Sequence, residues 1–203
     1  GSAFHLSVNW AAAFRAAHPW LLWLLPVGGL LIAAGILLPQ VFHLAGGSAM
    51  GTLFLPMHLP VLLCGLVCGG GLGAVCGAVG PVLSSVLTGM PGSSQLLHMV
   101  PELVVYGLCA GLFLKLWRTG SLYADLYLAL VPAMLLGRVA GGAVQALEYL
   151  GGTESYSIAM WTGSYFVGTM PGAVLQLLVL PTLVVVLGKA GLIPARYPRM
   201  VQT

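Results

Sequence analysis

The chain has 203 residues with a formal net charge of +3, and only 5% of its residues are charged while 59% are hydrophobic. Soluble domains carry about 25% charged residues, so this composition excludes a water-soluble globular protein. Apolar stretches of about 20 residues, the length that crosses the hydrocarbon core of a bilayer, recur along the sequence. We therefore predict an all-α membrane protein, a six-transmembrane-helix bundle in residues 20–190. Its predicted surroundings are the lipid bilayer, and no nucleic-acid partner is predicted.

Two terminal segments flank this predicted membrane domain. Gly1-Ser2 is typical of the remnant of a cleaved tag, and residues 3–19 are mildly amphipathic. That pattern predicts a helix lying in the membrane interface, although a frayed terminus fits it equally well. Residues 191–203 are predicted to form a cytoplasmic tail.

The first predicted span covers residues 20–41. Trp20 and Trp23 stand where an aromatic belt would place them at the membrane interface. Gly29 and Ala33 form a small-xxx-small pair that would let a helix of a partner protein approach closely. Small residues are also frequent in ordinary membrane helices, so this partner contact is one of two interpretations.

Residues 53–92 contain no Asp, Glu, Lys or Arg and predict a helical hairpin, the second and third spans. Pro56–Pro60 predicts a turn at its start, and the glycines at 69–71 supply the tight break between its two helices. The segment Gly89–Gly92 closes the hairpin. His58 is its single ionisable residue.

The remaining chain alternates short polar segments with long apolar ones. We predict a last span that is bent or broken near Pro171-Gly172, because proline disturbs a helix interior. The other predicted elements are a glycine-rich loop at 43–51, a polar connector at 93–98, and spans at 99–116, 122–147 and 158–187.

The distribution of basic residues predicts the orientation of the six spans. Cytoplasmic loops of membrane proteins carry an excess of Lys and Arg. With both termini cytoplasmic, the opposite side holds Glu148 and Glu154 and no basic residue, and Arg138 lies within a span. The cytoplasmic side then holds Arg15, Lys115, Arg118, Lys189, Arg196 and Arg199.

Several polar side chains fall inside predicted spans, where an ionisable residue costs about 2.5–3.5 kcal/mol on insertion scales unless it is paired or faces a cavity. Counting about 1.5 Å per residue places Arg138 about 24 Å above the inner end of its span, at the depth of the others. This common depth predicts a pocket that opens outward. Its candidate substrate-binding residues are His58, His98, Glu102, Arg138, Gln145, Trp161 and Tyr165.

Alternative interpretations of this cluster remain open. Glu102 and Arg138 can form a structural ion pair that neutralises both charges inside the bundle. A pocket cation also needs a counter-charge, so that pair is compatible with a binding site. His58 taken alone fits a structural histidine that bonds a loop carbonyl better than a ligand-binding group.

The sequence predicts no catalytic residue, metal site or cofactor of its own. The four cysteines, all within predicted spans, are best explained as small packing residues, because zinc needs more converging thiolates or imidazoles. The glycine run at 69–77 follows a membrane span and not a strand, so it does not predict a nucleotide site. In the absence of a phosphate loop, ATP-driven work would have to come from another chain.

Five segments, in this order, resemble the substrate-binding S component of an energy-coupling factor (ECF) transporter. They are spread over most of the chain, and their combination is more specific than any one of them. The segments are Leu55–Gly65, Pro81–Pro91, Glu102–Gly107, Gly137-Arg138, and Gly168–Leu177 followed by Pro181.

The resemblance implies a six-helix fold in a prokaryotic plasma membrane and no ATPase activity in this chain. It implies a complex with a transmembrane coupling subunit and two ATP-binding subunits. An S component binds a vitamin or related micronutrient outside the cell and topples in the membrane to deliver it. The first helix usually offers small residues to the coupling subunit, a role that Gly29 and Ala33 would fill.

Other functional classes remain possible from the sequence: an intramembrane enzyme, or a structural subunit of a membrane complex. An enzyme should show a nucleophile with its base or a metal set, and the sequence shows neither. Arg138 favours a substrate that is polar or bears a carboxylate. The His and Met content keeps a metallated tetrapyrrole open as a substrate.

Overall fold

A computed structural model describes residues 19–150 and 157–193. The predicted interfacial segment, the loop that contains Glu154 and the cytoplasmic tail beyond residue 193 lie outside these ranges, as do the side chains of Trp20 and Trp23. Within the described ranges every regular element is a helix. The elements are α1 (Pro19–Phe54), α2 (His58–Cys68), α3 (Gly70–Thr88), α4 (Ser93–Leu116), α5 (Leu122–Leu150), α6 (Ile158–Thr162) with a π-helical turn (Gly163–Val167), and α7 (Met170–Lys189).

Six helical segments in these ranges are long and apolar enough to cross a membrane. This result confirms the predicted all-α class and the predicted number of spans, and it identifies a multi-pass membrane protein. The segments are Leu24–Gly47, Ala49–Cys68, Gly70–Thr88, Ser93–Leu116, Leu122–Leu150 and Met170–Lys189.

The predicted loop at 43–51 is wrong, because α1 continues to Phe54 and is interrupted only by a kink at Gly46 and Gly47. Gly47 has φ of 71°, a backbone conformation that glycine adopts readily. The chain resumes its helix after the kink, since backbone groups in lipid must find their hydrogen bonds within the protein. The second span consequently begins earlier than predicted, at Ala49.

The predicted breaks of the hairpin are confirmed. Gly69, with φ of 94°, separates α2 from α3, and Gly89 ends α3 in the left-handed conformation with φ of 72°. The helix α4 packs across both members of this hairpin. The helices α2, α4 and α5 supply most of the buried apolar side chains, so the core of the bundle lies around α4.

The predicted polar connector at 93–98 is also wrong, since α4 begins at Ser93. His98 therefore lies within the helix, four residues before Glu102, and the two side chains share one face. The last predicted span is interrupted as expected, but the break is made by the π-helical turn and Thr169. Pro171 follows the break in the first turn of α7, where its missing N–H costs nothing.

Candidate functional site

Arg138 is the centre of a buried polar network. Its guanidinium donates from Nε to the Tyr106 hydroxyl at 3.1 Å and from Nη1 to Thr169 Oγ1 at 2.9 Å. The Thr169 hydroxyl in turn donates a hydrogen bond to the backbone carbonyl of Tyr165 at 2.6 Å. Arg138 is only 3% exposed, and its Nη2 is buried without a hydrogen-bond partner. The network therefore joins α4, α5 and the break before α7, with one donor of the arginine still unused.

Two aromatic rings complete the surroundings of Arg138. The Phe166 ring centroid lies 5.3 Å from the guanidinium carbon, within the range of a cation–π contact. Trp161 donates from Nε1 to the backbone carbonyl of Arg138 at 3.2 Å and meets Phe166 edge to face. Both rings thus hold the π-helical turn and the helix before it against α5.

Glycines on α5 make room for these side chains. A Cβ on Gly137 would lie 2.6 Å from the Tyr106 ring, and one on Gly141 would lie 3.1 Å from Glu102 Oε2. Gly142 faces Trp161 in the same way. The absence of side chains at these positions lets the polar groups of α4 and the π-helical turn pack directly on the α5 backbone.

Glu102 pairs with His58 and not with Arg138. Glu102 Oε1 lies 3.5 Å from His58 Nε2, and both side chains are buried. The His58 ring also meets the Tyr106 ring edge-on, with 5.2 Å between centroids. Among the described residues Arg138 makes no ion pair, so the alternative interpretation of a structural pair between Glu102 and Arg138 is wrong. Tyr106, with which both Glu102 and Arg138 interact, lies between them.

A second histidine–carboxylate pair lies nearer the surface. His98 Nδ1 is 3.6 Å from Glu148 Oε2, and their side chains are 19% and 30% exposed. This pair links the start of α4 to the end of α5. The same face of α4 thus carries a buried and a partly exposed His–Glu pair.

A cavity of about 510 Å³ lies among these groups. Five of the seven predicted substrate-binding residues line it: His58, His98, Glu102, Gln145 and Tyr165. Arg138 and Trp161 do not line the cavity. Arg138 lies behind the wall, where Thr169 separates its guanidinium from the space.

Sequence reasoning missed several residues of the site. His43 lines the cavity from α1 but falls in the segment that was predicted as a loop. Tyr106 was not among the predicted site residues, although its position four residues after Glu102 puts it on the same helix face. The further lining includes Thr52, Met57, Met90, Gln95, Met99, Ser164 and Thr169.

The arrangement suits recognition of a small molecule. Binding cavities are mostly apolar, with a few polar groups that fix the orientation of the ligand, and their usual volume is about 300–1,000 Å³. In this cavity prolines, methionines and glycines alternate with imidazoles, amides, hydroxyls and one carboxylate. Among residues 19–150 and 157–193 no Lys or Arg belongs to the lining, and Arg138 lies behind the wall.

The two residues predicted to bind a partner lie on the outer face of α1. Gly29 and Ala33 are both exposed, and a Cβ on Gly29 would have no atom within 4 Å. The same face carries Leu25, Leu30 and Leu37, each more than half exposed. This surface is apolar and flat at its centre.

The chain matches no family model, no characterised protein and no solved structure. Its function therefore has to be argued from the cavity and the network beneath it.

Proposed function

We propose that the chain is the substrate-binding S component of an ECF-type importer. It captures a vitamin or related micronutrient outside the cell, and partner subunits drive delivery by hydrolysing ATP. The observation that carries the proposal is the cavity of about 510 Å³ with buried ionisable residues at its wall, inside a bundle with six candidate spans. A purely structural subunit of a membrane complex would not need ionisable residues beside a cavity, because such residues are energetically unfavourable within the membrane.

The distribution of the resembling segments supports this proposal. Leu55–Gly65 contributes Met57 and His58 to the lining, and Pro81–Pro91 contributes Gly89, Met90 and Pro91. The segment at Glu102–Gly107 contributes Glu102, while Gly168–Leu177 contributes Thr169. Four of the five segments, although far apart in sequence, thus meet at one cavity, as expected of a ligand-binding subunit.

Arg138 supports the wall of the site from behind. Its two hydrogen bonds fix Tyr106 and Thr169, and Thr169 lines the cavity. Its positive charge lies close enough to favour a polar or acidic group of the ligand at that wall, because screening by water is weak in a buried site. Arg138 is therefore a positioning residue with an electrostatic effect on the ligand.

The direct test is to identify what the purified protein carries. The protein is purified in mild detergent, denatured, and the released small molecules are measured by mass spectrometry against a mock purification. We expect one organic compound in near-stoichiometric amount. A protein that carries nothing, and that takes up no compound from a micronutrient mixture, would contradict the proposal.

We expect both termini on the cytoplasmic side, as the basic residues predict. The helix α4 has 24 residues and is about 36 Å long; Ser94 lies in its first turn, and Ser121 follows its end at Leu116. Single Ser94→Cys and Ser121→Cys variants should therefore react from opposite sides with a membrane-impermeant thiol reagent, Ser94→Cys from outside. The unmodified chain is the control, since its four cysteines lie within candidate spans. Labelling of both variants from one side would contradict this orientation.

The exposed small residues of α1 are proposed to receive the coupling subunit. Gly29→Leu and Ala33→Leu should reduce co-purification of that subunit, because a bulky side chain keeps a partner helix at a distance. Ligand content should stay unchanged, since neither residue lines the cavity. Leu37→Ala, which removes bulk from the same face, is the matched control. Normal assembly by both leucine variants would show that this surface is not the docking site of the coupling subunit.

A further inference from the structure

The cavity wall is unusually rich in groups that bind transition metals. All three histidines in residues 19–150 and 157–193 contribute to it. Imidazole nitrogen and thioether sulfur are ligands for borderline and soft metals. The cavity gathers these groups from four separate parts of the chain: His43, Met57, His58, Met90, His98 and Met99.

Four of the six ring nitrogens of these histidines are buried and lack a hydrogen bond. Both nitrogens of His58 and the Nδ1 atoms of His43 and His98 are buried without a hydrogen-bond partner. Buried polar side-chain atoms nearly always have a partner, so each exception calls for an explanation. Two of these four atoms, His58 Nε2 and His98 Nδ1, face a carboxylate, so the atoms that call for a ligand are Nδ1 of His43 and Nδ1 of His58.

Two of the histidines stand beside carboxylates. His58 Nε2 lies 3.5 Å from Glu102, and His98 Nδ1 lies 3.6 Å from Glu148. A metal-binding histidine usually turns one ring nitrogen to a carboxylate or carbonyl and binds the metal with the other. The nitrogens left for a metal are then Nδ1 of His58 and Nε2 of His98.

The geometry argues against a site for a bare metal ion. The described part of the chain has no group of three or more His, Cys, Asp or Glu residues placed to hold one. The cavity of about 510 Å³ is also far larger than a single ion, since even a water molecule occupies only about 30 Å³. A metal at this place would therefore arrive with most of its ligands already supplied by an organic chelator.

We propose that the ligand is a metal chelate with an open axial position. His58 occupies that position through Nδ1, and His98 contacts the chelate from the outer side of the cavity. The apolar wall would cover the organic part of the chelate. This inference rests on the proposed function, because it names the chemical class of the molecule that the binding subunit captures.

The experiment compares a chelate with and without its metal. Iron(III) protoporphyrin IX, metal-free protoporphyrin IX and nickel chloride are each titrated into the full-length protein in detergent, followed by absorbance and by quenching of tryptophan fluorescence. We expect the iron form to bind at least about tenfold more tightly than the metal-free form, with the band shift of imidazole ligation. Nickel ions alone should bind more weakly than the iron chelate.

The variants identify the ligating side chain. His58→Ala should weaken the iron form by about 10–100-fold and leave the metal-free form within about twofold, which also shows that the variant is folded. Added imidazole should restore the band shift. Thr182→Ala, which changes an exposed polar residue of α7 outside the cavity lining, is the control and should behave as the unmodified protein.

Several results would overturn the metal inference. They are equal affinity for the two porphyrins, no binding of the iron form, tighter binding of nickel ions than of the chelate, or an unchanged spectrum in both His58→Ala and His98→Ala. A purified chain that carries a metal-free micronutrient and ignores the iron porphyrin would overturn it too, and would leave the proposed binding function standing. Failure of the binding function itself would appear as a protein without any small molecule.

Discussion

Arg138→Gln is expected to yield a folded protein that has lost most of its ligand. The arginine has two directed hydrogen bonds, to Tyr106 and Thr169, and it is 3% exposed. Glutamine keeps hydrogen-bonding capacity but removes the charge and cannot reach both partners. A hydrogen bond to a charged group contributes about 1.5–3 kcal/mol, so binding that depends on this wall should weaken by at least about tenfold.

Arg138→Lys should also weaken binding, although it keeps the charge. The guanidinium donates to two partners from a planar fork, whereas an ammonium is a point charge on a flexible stem. Because Glu102 is paired with His58, neither variant leaves a carboxylate without its partner. The loss of stability should therefore stay within the range of one or two hydrogen bonds and not approach that of a broken ion pair.

The measurements are ligand content per protein and thermal unfolding in detergent. Arg118→Gln, at an exposed arginine outside the bundle core, is the matched control and should change neither. Tyr106→Phe removes one acceptor of Arg138 and keeps the ring that packs on Gly137, so it should show a partial effect. Full ligand binding by well-folded Arg138→Gln would show that the charge serves the fold alone.

The membrane spans were predictable because they depend on the length of apolar stretches and on the positions of charged residues, both of which can be read from the sequence. The two errors in the fold, at 43–51 and 93–98, share a physical cause. Glycine, serine and glutamine mark loops in water, but in a bilayer the backbone has no other hydrogen-bond partners and stays helical. Gly69 and Gly89 were predicted correctly as helix ends, and each has a positive φ that glycine adopts readily.

The sequence predicted the depth of each site residue in the membrane but not the rotation of each helix about its own axis. Counting residues along each helix gives the height of a side chain, and five of the seven predicted residues do line one cavity. The direction in which a side chain points depends on the helix packing, which the sequence does not display. For that reason a Glu102–Arg138 pair at similar depth stayed open as one interpretation of the sequence, while the actual partner of Glu102 is His58 on the neighbouring helix α2.

The rotation of the helices about their axes depends on close backbone contacts. At Gly107 the backbones of α2, α3 and α4 come into contact. A Cβ on Gly107 would collide with the carbonyl of Gly73 on α3, and a Cβ on Gly65 of α2 would collide with the carbonyl of Gly107. A Cβ on Gly73 would lie 2.7 Å from the Cα of Gly65. Since the colliding atoms belong to the backbone, no change of side-chain rotamer can relieve the overlap.

Gly107→Ala is therefore expected to destabilise the protein strongly, and Gly107→Leu to prevent folding. Overpacking of a close contact costs about 1–3 kcal/mol, and more where two backbones must separate. Gly71→Ala on α3 is the matched control: it adds the same methyl group where no atom lies within 4 Å, so it should be neutral or slightly stabilising. Thermal unfolding in detergent and the monodisperse fraction on size exclusion measure both variants.

The same substitution should also reduce ligand binding, although Gly107 does not line the cavity. Gly107 lies on α4 between Tyr106 and Leu108, and the helix that must move outward carries His98 and Glu102. Displacing α4 would separate Glu102 from His58 and Tyr106 from Arg138, the two contacts that join the wall of the cavity to its neighbours. If Gly107→Ala were as stable and as well loaded as Gly71→Ala, the close contact of α2, α3 and α4 would not be what holds the site in place.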